Sequence, residues 1–182
     1  MSTTLSLPQL LQPARFEPLL LELYGPELMP AQQSVLVSQW SKYYFATVWQ
    51  VLLSGAVLPV FDATEVTLDR RGLPQALSGQ GAACQGLEAI MVSHLQPLVA
   101  RLAALGPLMP RVLWGNAGDC LDQALQRADA DNGELARLLS SADSPLYAAV
   151  SLDASGRRRR RSCCLSYKVE WVGHCEHCPL LD

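Results

Sequence analysis

Cys163-Cys164-Leu165-Ser166-Tyr167 and, after seven more residues, Cys175-Glu176-His177-Cys178 set the terms for everything upstream. Four of the six cysteines of this 182-residue chain fall here, in the pattern C-C-x10-C-x2-C. Four thiols so close in sequence point to a metal site. Zinc sites open with cysteines two to four residues apart, because the chain must turn for both sulfurs to face one tetrahedral ion. Adjacent cysteines make that turn poorly, whereas a two-iron cluster gives the sulfurs more ways to be satisfied. The spacing therefore favours a [2Fe–2S] cluster held by Cys163, Cys164, Cys175 and Cys178, with a structural zinc site in a non-enzymatic binding module as the alternative. His174 and His177 flank the second pair; with four thiols present, they are read as donors near the site or plain loop residues. Cys84 and Cys120 have no partner at ligand spacing and read as small buried hydrophobes.

Immediately before the first cysteines stand Arg157, Arg158, Arg159, Arg160 and Arg161. Positive charge beside thiolate-held iron favours the reduced, more negative state. The same run is able to steer an anionic chelate or an acidic electron donor toward the site, or to be simply a solvated loop. No aromatic residues interleave the arginines and the net charge is only −3, so a nucleic-acid partner is not expected.

The cysteine pattern resembles that of the ferric-siderophore reductases of the FhuF type. The stretch Arg161-Ser162-Cys163-Cys164-Leu165-Ser166-Tyr167 looks like the family's entry into its motif, and Cys175-Glu176-His177-Cys178-Pro179-Leu180 like its exit. Upstream, Leu113-Trp114-Gly115-Asn116 is similar to a segment of the same proteins. The resemblance implies a [2Fe–2S] cluster on the four cysteines and one-electron reduction of a ferric siderophore, so that Fe(II) leaves the chelate. Other members often carry more chain on the N-terminal side, so the first sixty residues look like a reduced version.

The rest of the chain fits a carrier for such a site. Hydrophobic residues make up 49% and charged residues 17%, the composition of a well-cored globule and not of a disordered chain. Met1-Ser2-Thr3-Thr4 opens no signal peptide. The most apolar stretch, Phe45 to Phe61, is interrupted by Gln50, Gly55 and Pro59 and falls short of the ~20 residues a bilayer requires. No integral membrane segment is expected, and peripheral association stays open. Free thiols suit a reducing compartment, so the cytoplasm is the expected location. No dinucleotide loop follows a strand into a helix, since Gly79-Gln80-Gly81 is too short for one. Electrons must then come from an external protein of the ferredoxin or flavin reductase type.

Residues 1–14, rich in Ser, Thr, Gln and Pro, are expected to be loose. Apolar spacing predicts helices over Phe16–Tyr24 and from Pro30 to about Leu53. Val57–Phe61 reads as a β-rich run; Glu65–Leu68 and Leu73–Leu77 read as a hairpin turning at Gly72, with Pro74 confining its strand to a sheet edge. A helix from Leu87 is kinked or divided at Pro97. Another begins at Pro110, with Asp119 as a cap for its continuation to Ala128. Asp129-Ala130-Asp131-Asn132-Gly133 is read as a turn, Glu134–Leu139 as a short helix and Leu146–Leu152 as a strand. The expected fold is α+β: a predominantly helical single domain with one or two hairpins. Residues 1–150 form the body, where siderophore would bind, and residues 151–182 the iron–sulfur segment.

Overall fold

From Thr3 the chain pairs rather than trails. In the computed structural model, which describes residues 3–25, 32–128, 132–169 and 172–181, Thr3–Ser6 is strand β1. The turn expected at 129–133 falls largely outside these residues, as does Pro30. Helical turn α1 (Leu7–Leu10) follows directly, and Leu7, Leu10 and Leu11 are fully buried. The expectation of a loose N-terminus is therefore corrected: three leucines at helical spacing anchor it, and burying each contributes roughly 1.5–3 kcal/mol.

Helix α2 (Pro13–Tyr24) starts at a proline, whose missing amide proton costs nothing in the first turn. Helix α3 (Gln33–Leu53) is the spine of the molecule. Buried residues occupy every side of its first half, from Val35 through Ser41, as suits a helix surrounded by protein. Its Trp40 meets Phe16 of α2 edge-on, with ring centroids 4.9 Å apart, and stacks on Tyr44.

Val57–Phe61 forms no strand. Its one ladder contact is the bridge from Pro59 to Ala83, because Pro59 at its centre and the single turn of 3₁₀ helix at Phe61–Ala63 break the run. Strands β2 (Thr64–Leu68) and β3 (Pro74–Gly79) then make the expected hairpin, with Gly72 at φ +82°. The sheet order is β1-β2-β3, so Pro74 does lie in an edge strand.

Helix α4 (Gly86–Ile90) runs through one π turn (Met91–Leu95) into helix α5 (Gln96–Leu105). Pro97 thus sits in the first turn of α5, and the widened turn before it absorbs the missing hydrogen bond. Helix α6 (Pro110–Arg127) is unbroken. Asp119 is not a cap: it lies in mid-helix, 4% exposed, facing the C-terminal segment. Helices α3 and α6 pack along their lengths, and the Trp49 indole N–H donates to the Ala117 carbonyl at 2.9 Å. After helix α7 (Gly133–Ser140), strand β4 (Val150–Leu152) is shorter than expected, because Ala148 at φ +49° ends the turn before it. It pairs antiparallel with β5 (Arg158–Arg160), so most of the arginine run is a strand. No helix among the described residues is long and apolar enough to cross a membrane.

Candidate metal centre

The cysteine segment lies across the α3–α6 seam, and both helices grip it through polar side chains. From α3, Ser38 Oγ and Gln39 Nε2 both donate to the Cys164 carbonyl, at 2.8 and 2.9 Å. Lys42, one turn on, donates to Gln39 Oε1 at 3.0 Å and places its ammonium 4.0 Å from Cys164 Sγ. From α6, the Asn116 amide donates to the Ser38 carbonyl, Ser38 Oγ and Ser41 Oγ, at 2.9–3.0 Å. Its carbonyl oxygen accepts from Arg160. Asp119 holds two more groups, Arg160 Nη1 at 3.3 Å and His177 Nδ1 at 2.7 Å. One helical turn thus fixes both flanks of the motif, the strand leading into Cys163 and the residue before Cys178.

Close approach of the segment depends on two glycines of α6. A Cβ on Gly115 would stand 1.9 Å from Ser162 Oγ, and one on Gly118 would stand 2.2 Å from the Ala149 Cβ. The Trp114-Gly115-Asn116 stretch therefore has a physical meaning: glycine admits the segment and asparagine ties it down.

Beyond Cys164 the backbone turns sharply, with Leu165 at φ +66°. The Leu165 amide donates to Cys163 Sγ at 3.3 Å, and Ser166 Oγ lies 3.4 Å from Cys164 Sγ. Cys164 and Cys178 are buried, while Cys163 and Cys175 are half-buried. The Cys175 thiol hydrogen-bonds to the Cys164 sulfur. That hydrogen bond, opposed by burial and aided by the charges of Lys42 and Arg160, pulls the Cys164 thiol down to about 4. The same bond pushes the Cys175 thiol up, with burial adding to it. Burial raises the Cys163 thiol, and the neighbouring Cys164 and Cys178 add to the effect. Among the described residues, no three Cys, His, Asp or Glu side chains converge on one point as for a single ion. The Cys164 and Cys175 thiols are paired, with half-buried Lys42 and buried Arg160 in electrostatic reach of Cys164. That donor set suits a group carrying net negative charge.

The arginine run divides by partner. Arg157 and Arg159 both reach Asp153, at 3.4 and 3.0 Å, and Arg158 reaches Asp122 at 2.8 Å. Arg159 also donates to the Cys178 carbonyl at 2.9 Å. The Arg160 side chain is 0% exposed. Arg161 alone of the five meets no carboxylate among the described residues; it is exposed and donates to the Tyr147 carbonyl at 3.3 Å. His174 is exposed and stacks on Tyr167, while His177 is buried against Asp119. Cys84 lies away from the segment, its thiol against the Pro59 carbonyl; Cys120 follows Asp119 on α6, within electrostatic reach of Arg160, with its thiol against the Lys42 carbonyl. Sequence reasoning missed Ser38, Gln39, Lys42 and Asp119, whose types are ordinary and whose distance along the chain gives no spacing to read.

Beside the motif lies a cleft of about 710 Å³, walled by Trp114, Tyr147 and Leu180 and reached by Arg111, Arg161 and Cys163. Cys163 is the motif cysteine that lines it.

Comparison with known families agrees with this geometry. The model of the ferric iron reductase FhuF-like transporters matches residues 64–161, more than half of the chain. That of the FhuF 2Fe-2S C-terminal domain matches residues 160–180, which assigns a [2Fe–2S] cluster to the segment. No curated protein matches the chain significantly. Helix α3, with its three contacts to the cysteine segment, lies outside both matched stretches.

Proposed function

The chain belongs to the FhuF-like ferric iron reductase family, and on that footing we propose that it reduces ferric siderophores in the cytoplasm, one electron at a time, from a cluster held by Cys163, Cys164, Cys175 and Cys178. When bound, a [2Fe–2S] cluster supplies single-electron transfer at a potential set by charge, hydrogen bonds and exposure. A siderophore grips Fe(III) through hard anionic oxygens, and Fe(II) is held far less tightly by the same ligands. One electron therefore turns a tight complex into a leaky one. The electrons would come from a donor protein of the ferredoxin or flavin reductase type.

The observation that carries this reading is the unequal placement of the four thiols. Cys164 and Cys178 are buried, while Cys163 lines the open cleft. A centre held by them would be shielded from water on one side and reachable by a chelate on the other. On the shielded side, Arg160 and Lys42 bring positive charge to the sulfurs, which favours the added electron and raises the potential. Arg159 holds the Cys178 carbonyl and the Leu165 amide holds the Cys163 sulfur, so the ligands need not reorganise on each transfer.

The test has two arms. Iron and sulfide content per chain should fall sharply in Cys163→Ser, Cys164→Ser, Cys175→Ser and Cys178→Ser, and stay at the wild-type level in Cys84→Ser and Cys120→Ser. Anaerobic protein reduced with dithionite should recover its oxidised visible spectrum on mixing with a ferric tris-hydroxamate, with Fe(II) trapped stoichiometrically by a ferrous chelator. Full occupancy in the Cys164→Ser protein would refute the ligand set, and a reduced spectrum indifferent to the chelate would refute the activity.

A further inference from the structure

We infer that the cleft beside Cys163 seats a ferric chelate of net negative charge, gripped by Arg111 and Arg161. This rests on the reading of the chain as a ferric-chelate reductase and specifies which chelates it takes. Four of the five consecutive arginines form an ion pair with Asp153, Asp122 or Asp119. The fifth, Arg161, has no carboxylate partner among the described residues and lines the cleft. Arg111, from the first turn of α6, lines the same cleft, is exposed, and likewise forms no ion pair there. No described residue lining the cleft is acidic. Two guanidinium groups without counter-charges, in a concave site with apolar walls, attract an anion from solution and hold its carboxylate or hydroxamate oxygens.

The walls match the remainder of such a ligand. Trp114 and Tyr147 give broad flat surfaces, and Val112, Pro179 and Leu180 close the cleft with apolar atoms. A volume of about 710 Å³ lies within the range of small-molecule sites. In this seat the chelate stands beside Cys163. Its Fe(III) takes one electron and becomes Fe(II). That electron would come from the external donor, or from dithionite in the test, by way of the cluster the four cysteines would hold, and only the iron–oxygen bonds of the chelate then break. The metal then leaves as the weaker ferrous complex.

The experiment compares two ferric tris-hydroxamates with the same iron coordination, one bearing a pendant carboxylate and the other a pendant amine. Dithionite-reduced holoprotein is mixed with each at low and at high salt. The carboxylate-bearing chelate should react faster by about tenfold or more at low salt, and the advantage should shrink as salt rises. Arg111→Gln with Arg161→Gln should remove the discrimination while leaving the visible cluster spectrum intact, and Arg161→Lys should retain most of it. The gallium forms of both chelates, which accept no electron, give binding separately by isothermal titration. If neither ferric chelate is reduced but the carboxylate-bearing gallium complex still binds the wild type at least tenfold tighter than the double variant, the cleft assignment stands and the reductase reading falls. Equal rates for the two chelates would overturn the inference, as would a double variant that still discriminates. So would variants slowed only in accepting electrons from a reduced ferredoxin, which would make the cleft a donor dock.

Discussion

Arg160 and Arg161 are neighbours of one chemical type with opposite surroundings. The first is enclosed by Asn116, Asp119 and the Ser162 carbonyl, and the second lines a cleft that no described acidic residue lines. Nothing local in the run distinguishes them, because Asp119 lies 41 positions away from Arg160 in the chain. The cysteines were legible for the opposite reason: their ligand pattern is written in spacing along the chain. His94 is a third case. Its Nδ1–H donates to the Pro59 carbonyl at 2.8 Å, and its Nε2 accepts from the Tyr44 hydroxyl at 3.1 Å. Both nitrogens are thereby committed to the neutral ring, and burial pushes its pKa down from 6.5 to about 4. The unfolded chain then binds a proton between those values that the folded chain refuses, so stability falls as pH drops through that window. Between pH 7 and pH 5 the loss from this residue should be roughly 2 kcal/mol. Urea denaturation of wild type and His94→Gln at both pH values measures it. The variant should be weaker at pH 7 and should lack this part of the pH dependence; parallel pH profiles would show that His94 is not its source.

Helix α6 joins body and segment, and its two glycines set how closely. They differ in what a methyl group would meet. At Gly115 the obstacle is a serine hydroxyl, which can rotate away; at Gly118 it is the Ala149 Cβ, which moves only with its backbone. Overpacking of this kind costs about 1–3 kcal/mol. Gly118→Ala should therefore lower the thermal midpoint more than Gly115→Ala, and Ala149→Gly should restore most of the loss in the Gly118→Ala background. Equal losses in the two single variants, or no rescue, would count against this packing. At the scale of elements the long helices and the β2–β3 hairpin were readable, because apolar periodicity and the Gly72 turn are local signals. Strand β1 was not, since its partner β2 lies some sixty residues on and four residues reading Thr-Thr-Leu-Ser carry little pattern of their own. Strand β5 was hidden by its composition: three arginines are an unusual edge strand, made tenable by the acids that face them.

Across the whole molecule, the sequence suggested a body at 1–150 and an iron–sulfur segment at 151–182, and the polar contacts between these stretches specify what the division omits. The Cys164 carbonyl is bound by Ser38 and Gln39, Arg160 by Asn116 and Asp119, and Arg158 by Asp122. All of these partners belong to the body. A peptide spanning residues 151–182 should consequently fail to retain a cluster after reconstitution with iron and sulfide, although it contains all four thiols. Absorbance and iron content after gel filtration decide the matter, and retention equal to that of the full chain would overturn it.

The order of these contacts along the chain bears on biogenesis. Both gripping helices, α3 and α6, leave the ribosome before the cysteines do. At about 5–20 residues per second, Asp119 precedes its arginine by several seconds. During that interval the nascent chain presents the Asp119 carboxylate and the Asn116 side-chain oxygen without the arginine that both bind. Docking of the strand that carries Arg160 quenches this unpaired surface, and the same event brings the thiols to the α3–α6 seam. Cofactor insertion is thereby tied to the arrival of the cysteine segment at a polar seam made before it.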